Sequence, residues 1–185
     1  GIKESKLYLF KNNPEEFIRK AISIIKEQKS TMIVEAIHYN MTEGKYDSDI
    51  FTVKSKMDFD RAYEAKKHVT DYVFSDSKGE RQFAEALDEA NEVVVYAKLP
   101  RSFQIPTPVG NYAPDWAIAM KRNDVKHIFF IAETKGSMSS MDLSAVEKAK
   151  IDCAEKLFNS ISTANVKYHK VASYQDLIDE MNAVG

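Results

Sequence analysis

The stretch "NYAPDWAIAMKRNDVKHIFFIAETKG", residues 111–136, decides the fold. Two apolar runs, 113–121 and 126–135, flank a polar bend around Asn123 and Asp124, the pattern of two antiparallel strands. Each run carries charge where a buried strand is expected to carry none. Asp115 opens the first, and Glu133 and Lys135 close the second. If residues Arg122 to Lys126 form the turn, Lys121 faces His127 and Asp115 falls opposite Glu133. Neighbouring strands lie ~4.8 Å apart, so two carboxylates on one face reach a common point. Strand alternation puts Glu133 and Lys135 on one face, ~6.6 Å apart along the chain, with Thr134 turned away.

Two facing carboxylates repel each other and are costly to desolvate unless positive charge lies between them. Lys135 offsets only part of that charge. Mg²⁺ offsets the rest, because it favours one or two carboxylates, several waters and substrate phosphate oxygens. Such an ion polarises a phosphodiester and lowers the pKa of a water. A lysine two residues from a ligand orients the attacking water and shares the charge of the transition state. The residues therefore point to metal-dependent phosphodiester hydrolysis, with Asp115 and Glu133 as metal ligands and Lys135 as the catalytic cation.

Working outward, "SDSKGERQFAEALDEA" (75–90) reads as a helix with Ser77 as N-cap and Glu80 three residues on. "NEVVVYAKL" (91–99) reads as a strand, and Pro100, Pro106, Pro108 and Gly110 mark an irregular loop. A mostly buried helix is expected over 142–161, a strand over 166–173 and a closing helix over 173–182. The expected core is thus helix, three-stranded antiparallel meander, helix, strand, with a mixed central sheet. Residues 1–70 read as a small α/β extension, distinct from a main domain over 71–185. Its expected elements are strands at 6–10, 30–40 and near Asp49–Lys54, a helix at 13–28 capped by Asn13, and weak helix at 58–74.

Composition narrows the function. At 185 residues with 44% hydrophobic and 29% charged residues, the chain can bury a sizeable core. No apolar run approaches the ~20 residues of a membrane span, and nothing reads as a signal peptide. One cysteine excludes an internal disulfide, and a cytoplasmic setting is expected. Residues 1–70 carry 13 basic against 11 acidic side chains, and residues 71–185 carry 13 against 17. The second part has no strong basic field with which to hold nucleic acid by itself.

The pattern Pro114-Asp115 followed by Glu133-Thr134-Lys135, set in that order of elements, resembles the PD-(D/E)XK nuclease superfamily. "TPVGNYAPDWAI", "AETKGS" and "EKAKIDCAEKLF" together resemble the C-terminal endonuclease domain of the Res subunit of type III restriction enzymes, over roughly residues 71–165. "GKYDSDIF" is similar to the segment that joins helicase to nuclease in such subunits. The resemblance implies a fragment of a larger protein that cuts double-stranded DNA with Mg²⁺. It also implies a modification (methyltransferase) subunit as partner and a helicase module that uses ATP. The sequence itself has no G-x-x-x-x-G-K-[ST] phosphate loop. On the resemblance, Glu80 is a further acidic metal ligand. Leu157 stands where such domains often carry a histidine, which removes any case for one in catalysis.

Plainer roles stand beside these. Glu80 also suits a capping box. Lys98 and Arg101 read as surface cations, Trp116 and Cys153 as core. His38, His68, His127 and His169 show no metal-ligand spacing and read as structural or surface residues. Two other functional classes fit the sequence: a non-catalytic nuclease-fold module that docks a helicase, and a stand-alone DNA repair nuclease.

Overall fold

The computed structural model describes residues 7–39, 48–51, 62–131 and 145–184. Along these the order is α1 (Leu7–Asn12), α2 (Pro14–Ala36), a 3-10 turn (Ser48–Phe51), β1 (Ala62–Glu64), β2 (Tyr72–Phe74), α3 (Lys78–Glu89), β3 (Val93–Lys98), β4 (Trp116–Arg122), β5 (Val125–Ile131), α4 (Ala145–Ile161), β6 (Val166–Val171) and α5 (Tyr174–Ala183). The main sheet runs β3-β4-β5-β6, antiparallel except for the parallel pair β5–β6 that α4 connects. This is the expected mixed α/β core of restriction-endonuclease type.

The β4–β5 register differs from expectation by one residue. Lys121 faces Lys126 and Met120 faces His127, because the turn is only Asn123-Asp124. Asn123 takes the left-handed φ of 52°, which asparagine tolerates and which closes a two-residue hairpin without splaying the strands. The ladder is described as far as Trp116↔Ile131. Residues 132–135, the expected end of this strand, lie outside the described residues, as do 142–144 at the expected start of the following helix.

Strand alternation builds two apolar layers. Trp116, Ile118 and Met120 leave one face and meet Phe83 and Leu87 of α3 and Leu177 of α5. Phe83 sets its ring edge-on to both Trp116 and Tyr174, each at 5.1 Å, a favoured aromatic geometry. Trp116 is fully buried, as expected of a core residue. On the other face Phe130 stacks on Phe158 of α4 at 4.9 Å, and Tyr112, Ile105 and Ile151 close that layer. Cys153 is buried in α4 as expected.

Both sheet edges are covered, which blunts unwanted strand pairing. Beside β3, the Val69 amide donates to the Tyr96 carbonyl and the Tyr96 amide to the Lys67 carbonyl, both at 2.9 Å. Along β6, three outward amides are capped by side chains: Val166 donates to Thr163 Oγ1, Tyr168 to Ser162 Oγ, and Ala172 to Asp176 Oδ2.

The front of the chain corrects several expectations. Asn13 caps α2 as expected, its Oδ1 accepting from the Glu16 amide at 3.0 Å, and Pro14 takes the first helical position. The helix then continues to Ala36 through the β-branched run expected as a strand. Residues 7–12 are helical rather than extended, and Ser48–Phe51 is a 3-10 turn. Local propensity yields here to continuity with a helix already nucleated and packed on α4. Within the segment expected as weak helix, Ala62–Glu64 pairs instead with Tyr72–Phe74.

Candidate active site

Asp115 immediately precedes β4 and is held through its backbone from both sides. Its amide donates to the Ile131 carbonyl, and its carbonyl accepts from the Leu99 amide, both at 2.7 Å. Pro114 beside it is buried, and Asp115 itself is half-exposed. Its charge bears on Tyr112 of the α4 layer: burial, and secondarily the Asp115 charge, raise the Tyr112 hydroxyl pKa far above the ordinary tyrosine value. Glu133 and Lys135 lie outside the described residues. The direct opposition of Asp115 and Glu133 expected from the five-residue turn does not follow from the observed register.

Glu80 lies in the first turn of α3 and is 1% exposed. Its amide donates to Ser77 Oγ at 3.2 Å, so the predicted N-cap is present. The carboxylate does not return to the Ser77 amide as a capping box requires. Its Oε2 instead accepts from the Asp76 amide at 2.7 Å and from Lys98 Nζ at 2.8 Å. Lys98, read from sequence as a surface cation, is therefore the counter-ion of a buried carboxylate. It also donates to the Phe74 carbonyl at 3.0 Å and approaches Asp76 Oδ2 at 3.4 Å. Arg101 is exposed on the loop that follows.

Carboxylate oxygens such as those of Asp115 and Glu133 are hard donors of the kind Mg²⁺ takes. Glu80 differs from them in already holding an ammonium at its Oε2. Among the described residues no three His, Cys, Asp or Glu side chains gather as a metal shell.

Sequence reasoning missed Asp88 near the end of α3. It is 7% exposed, and its carboxylate accepts from the Lys66 and Lys67 amides at 2.9 and 3.0 Å and from the Tyr63 hydroxyl at 3.0 Å. Burial pushes its pKa up, but these hydrogen bonds more than reverse that and leave it below the ordinary aspartate value. A signal was present. The apolar stripe Phe83, Ala84, Leu87 extends by helical spacing to Glu80 on one side and Asp88 on the other, so both acids face inward.

A second missed feature joins residues distant in sequence. His127 of β5 and His169 of β6 meet with Nδ1 and Nε2 2.9 Å apart, and His169 stacks on Phe129 at 4.6 Å. That hydrogen bond needs one nitrogen protonated and the other bare, so the two rings cannot both be charged. Burial lowers both pKa values, helped at His127 by Lys167 and Arg122 and at His169 by His127 and Lys167, with Glu180 opposing. His68 shifts the same way, mainly through burial, and its Nε2 accepts the Lys98 amide at 2.9 Å. With folded values below the unfolded ~6.5, the unfolded chain binds more protons in that window. Stability is then complete above the unfolded value and falls as pH drops through it towards the folded values. The melting temperature is expected to fall between pH 7.5 and 5.5, and His127→Phe with His169→Phe should flatten the slope. An equal or higher melting temperature at pH 5.5 contradicts the lowering of the histidine pKa values.

Gly110 closes the loop that leads to Asp115. Its φ of 117° is a conformation that side chains rarely adopt, and an added Cβ would lie 3.1 Å from Lys150 Cε of α4. Glycine here allows the loop to pass beneath that lysine.

The element order and mixed sheet are those of a restriction-endonuclease-like core. The family model described as "Endonuclease domain" matches residues 66–174, more than half of the chain, and the chain belongs to that family. It is 41% identical over 92 residues to the type III restriction-modification enzyme EcoPI Res subunit of Escherichia phage P1. The EcoP15I Res subunit of Escherichia coli matches to the same degree. The matched segment covers 49% of this chain and 9% of each relative, so the chain is similar to a small part of those proteins and is a Res-type endonuclease domain. No solved structure matches it. Among the described residues no helix is long and apolar enough to cross a membrane.

Proposed function

We propose that this domain hydrolyses phosphodiester bonds of double-stranded DNA with Mg²⁺, as the cutting part of a type III restriction enzyme. The observation that supports this most is the placing of Asp115. It sits at the end of a central strand, clamped through its backbone to the strands on both sides, with its side chain partly exposed. Glu133 and Lys135 follow Ile131 by two and four positions, and Ile131 is the residue whose carbonyl takes the Asp115 amide.

Asp115 and Glu133 would hold the ion, while Glu80 keeps Lys98 at its Oε2. Bound there, Mg²⁺ supplies Lewis-acid polarisation of the phosphodiester and makes a water easier to deprotonate. Lys135 orients the attacking water and shares the negative charge that develops on the phosphate. The acidic balance of residues 71–185 fits a nuclease brought to DNA by other parts of a larger assembly. On this reading those parts are an ATP-using helicase module and a modification subunit.

Thermal melts test the site directly, since an ion stabilises only a fold that binds it. Mn²⁺ or Mg²⁺ should raise the melting temperature of the chain, by about 2.7 kcal/mol of stability at 100 times the dissociation constant. Glu133→Ala should remove that rise. A rise that survives Glu133→Ala excludes the assigned ligand set.

A further inference from the structure

We infer that Lys98 and Glu80 form a positioning pair that fixes the strand end carrying Asp115, and that the divalent ion binds without Glu80. This rests on the proposed metal site but assigns the pair a role of its own. Glu80 is almost wholly buried, and its Oε2 already takes two donors, the Asp76 amide and the Lys98 ammonium. With that ammonium in place the buried carboxylate already has its counter-charge, so a further cation gains less there. A cation replacing it would also have to compete with the Asp76 amide for the same oxygen.

Sheet geometry places Glu80 beside Lys98. Lys98 faces Trp116 in the β3–β4 ladder. The lysine side chain and the indole leave the same face, where α3 supplies both Glu80 and Phe83. Glu80 is thus tied to the end of β3, one strand over from Asp115.

The pair acts on Asp115 through the backbone. Lys98 is held at two points: its amide donates to His68 Nε2, and its ammonium reaches Glu80 and the Phe74 carbonyl. The next residue, Leu99, donates the hydrogen bond that holds the Asp115 carbonyl. Fixing Lys98 keeps the end of β3 from fraying and so sets the height at which Asp115 leaves the sheet. A small misplacement at a reacting centre is expensive in rate, on the order of 10²-fold for 1 Å.

Glu80→Gln, Lys98→Met, Lys98→Arg and the double variant Glu80→Gln/Lys98→Met separate the roles. In chelator the two single variants should melt lower, and the double variant should melt higher than the two losses added together predict. Both singles should keep the wild-type Mn²⁺-induced shift, with half-saturation within about two-fold. In the full-length protein at saturating Mg²⁺, kcat per folded molecule should fall roughly 10- to 100-fold for both. Lys98→Arg should recover most of that rate.

Loss of the Mn²⁺ shift in Glu80→Gln, or a stronger shift in Lys98→Met, would show that the cation uses Glu80 and overturn the proposal. Unchanged kcat in folded Lys98→Met, or additive melts, would do so as well. Asp115→Asn is the separate arm. If it keeps the shift, or if wild type shows none, the metal reading fails, while the melts in chelator and kcat still decide the pair.

Discussion

Asp115→Ala in the full-length protein is expected to lower DNA cleavage at saturating Mg²⁺ by at least about 10²-fold, the scale of losing one group that stabilises transition-state charge. The fold should survive. The ladder bonds at Asp115 come from its amide and carbonyl, which alanine retains. The lost side chain is only half-buried, so the stability change should stay within roughly 1 kcal/mol. Cleavage measured beside circular dichroism distinguishes chemistry from unfolding. A folded variant that still cuts at the wild-type rate would falsify the assignment. A variant that unfolds would instead make the carboxylate structural, and Asp115→Asn, which keeps its shape, then decides between the two.

Asp88→Ala should produce the largest loss of stability. It removes the shared acceptor of two amides and a tyrosine hydroxyl in a site that is 7% exposed. Hydrogen bonds to a charged group contribute ~1.5–3 kcal/mol each, and orphaned buried donors carry a further cost. Some of the donors regain water once the segment loosens, so a net loss of about 3 kcal/mol is expected. For a chain of this size that corresponds to a melting temperature lower by roughly 6–12 °C. Asp88→Asn keeps one oxygen and should lose clearly less. A loss below about 1 kcal/mol for alanine would mean that residues 66 and 67 are held by something else. The effect should extend to the sheet, because the backbone Asp88 anchors is the one that covers the outer edge of β3.

Much of the core was legible because its signals are local. The 116–122 and 125–131 runs announce strands by composition, and Ser77 and Asn13 announce helix starts by the chemistry of their oxygens. The strand at 93–98, the helix at 145–161 and the closing β6–α5 pair lie within a few residues of where the pattern puts them.

The front of the chain was less legible. Residues 30–36 have the β-branched composition of a strand yet extend α2, and Ala62–Glu64 pairs with Tyr72–Phe74 although its composition is weakly helical. In both places a distant partner outweighs propensities worth only tenths of a kcal/mol per residue: α4 beside α2, and Asp88 beside residues 63–67.

Spacing, alternation and capping are properties of neighbouring residues. They determined the element order from α3 onward, the inward stripe of α3, the buried indole of Trp116 and the acid at the head of β4. Partnership across the sheet was decided only in three dimensions. The register of β4 on β5 turned on whether Asn123 would accept a left-handed φ, and one residue of slip changes which side chains face each other. Lys98 found Glu80 across 18 residues, and His127 found His169 across 42. Such contacts form where packed elements happen to bring two side chains within ~3 Å, and no local pattern encodes that meeting.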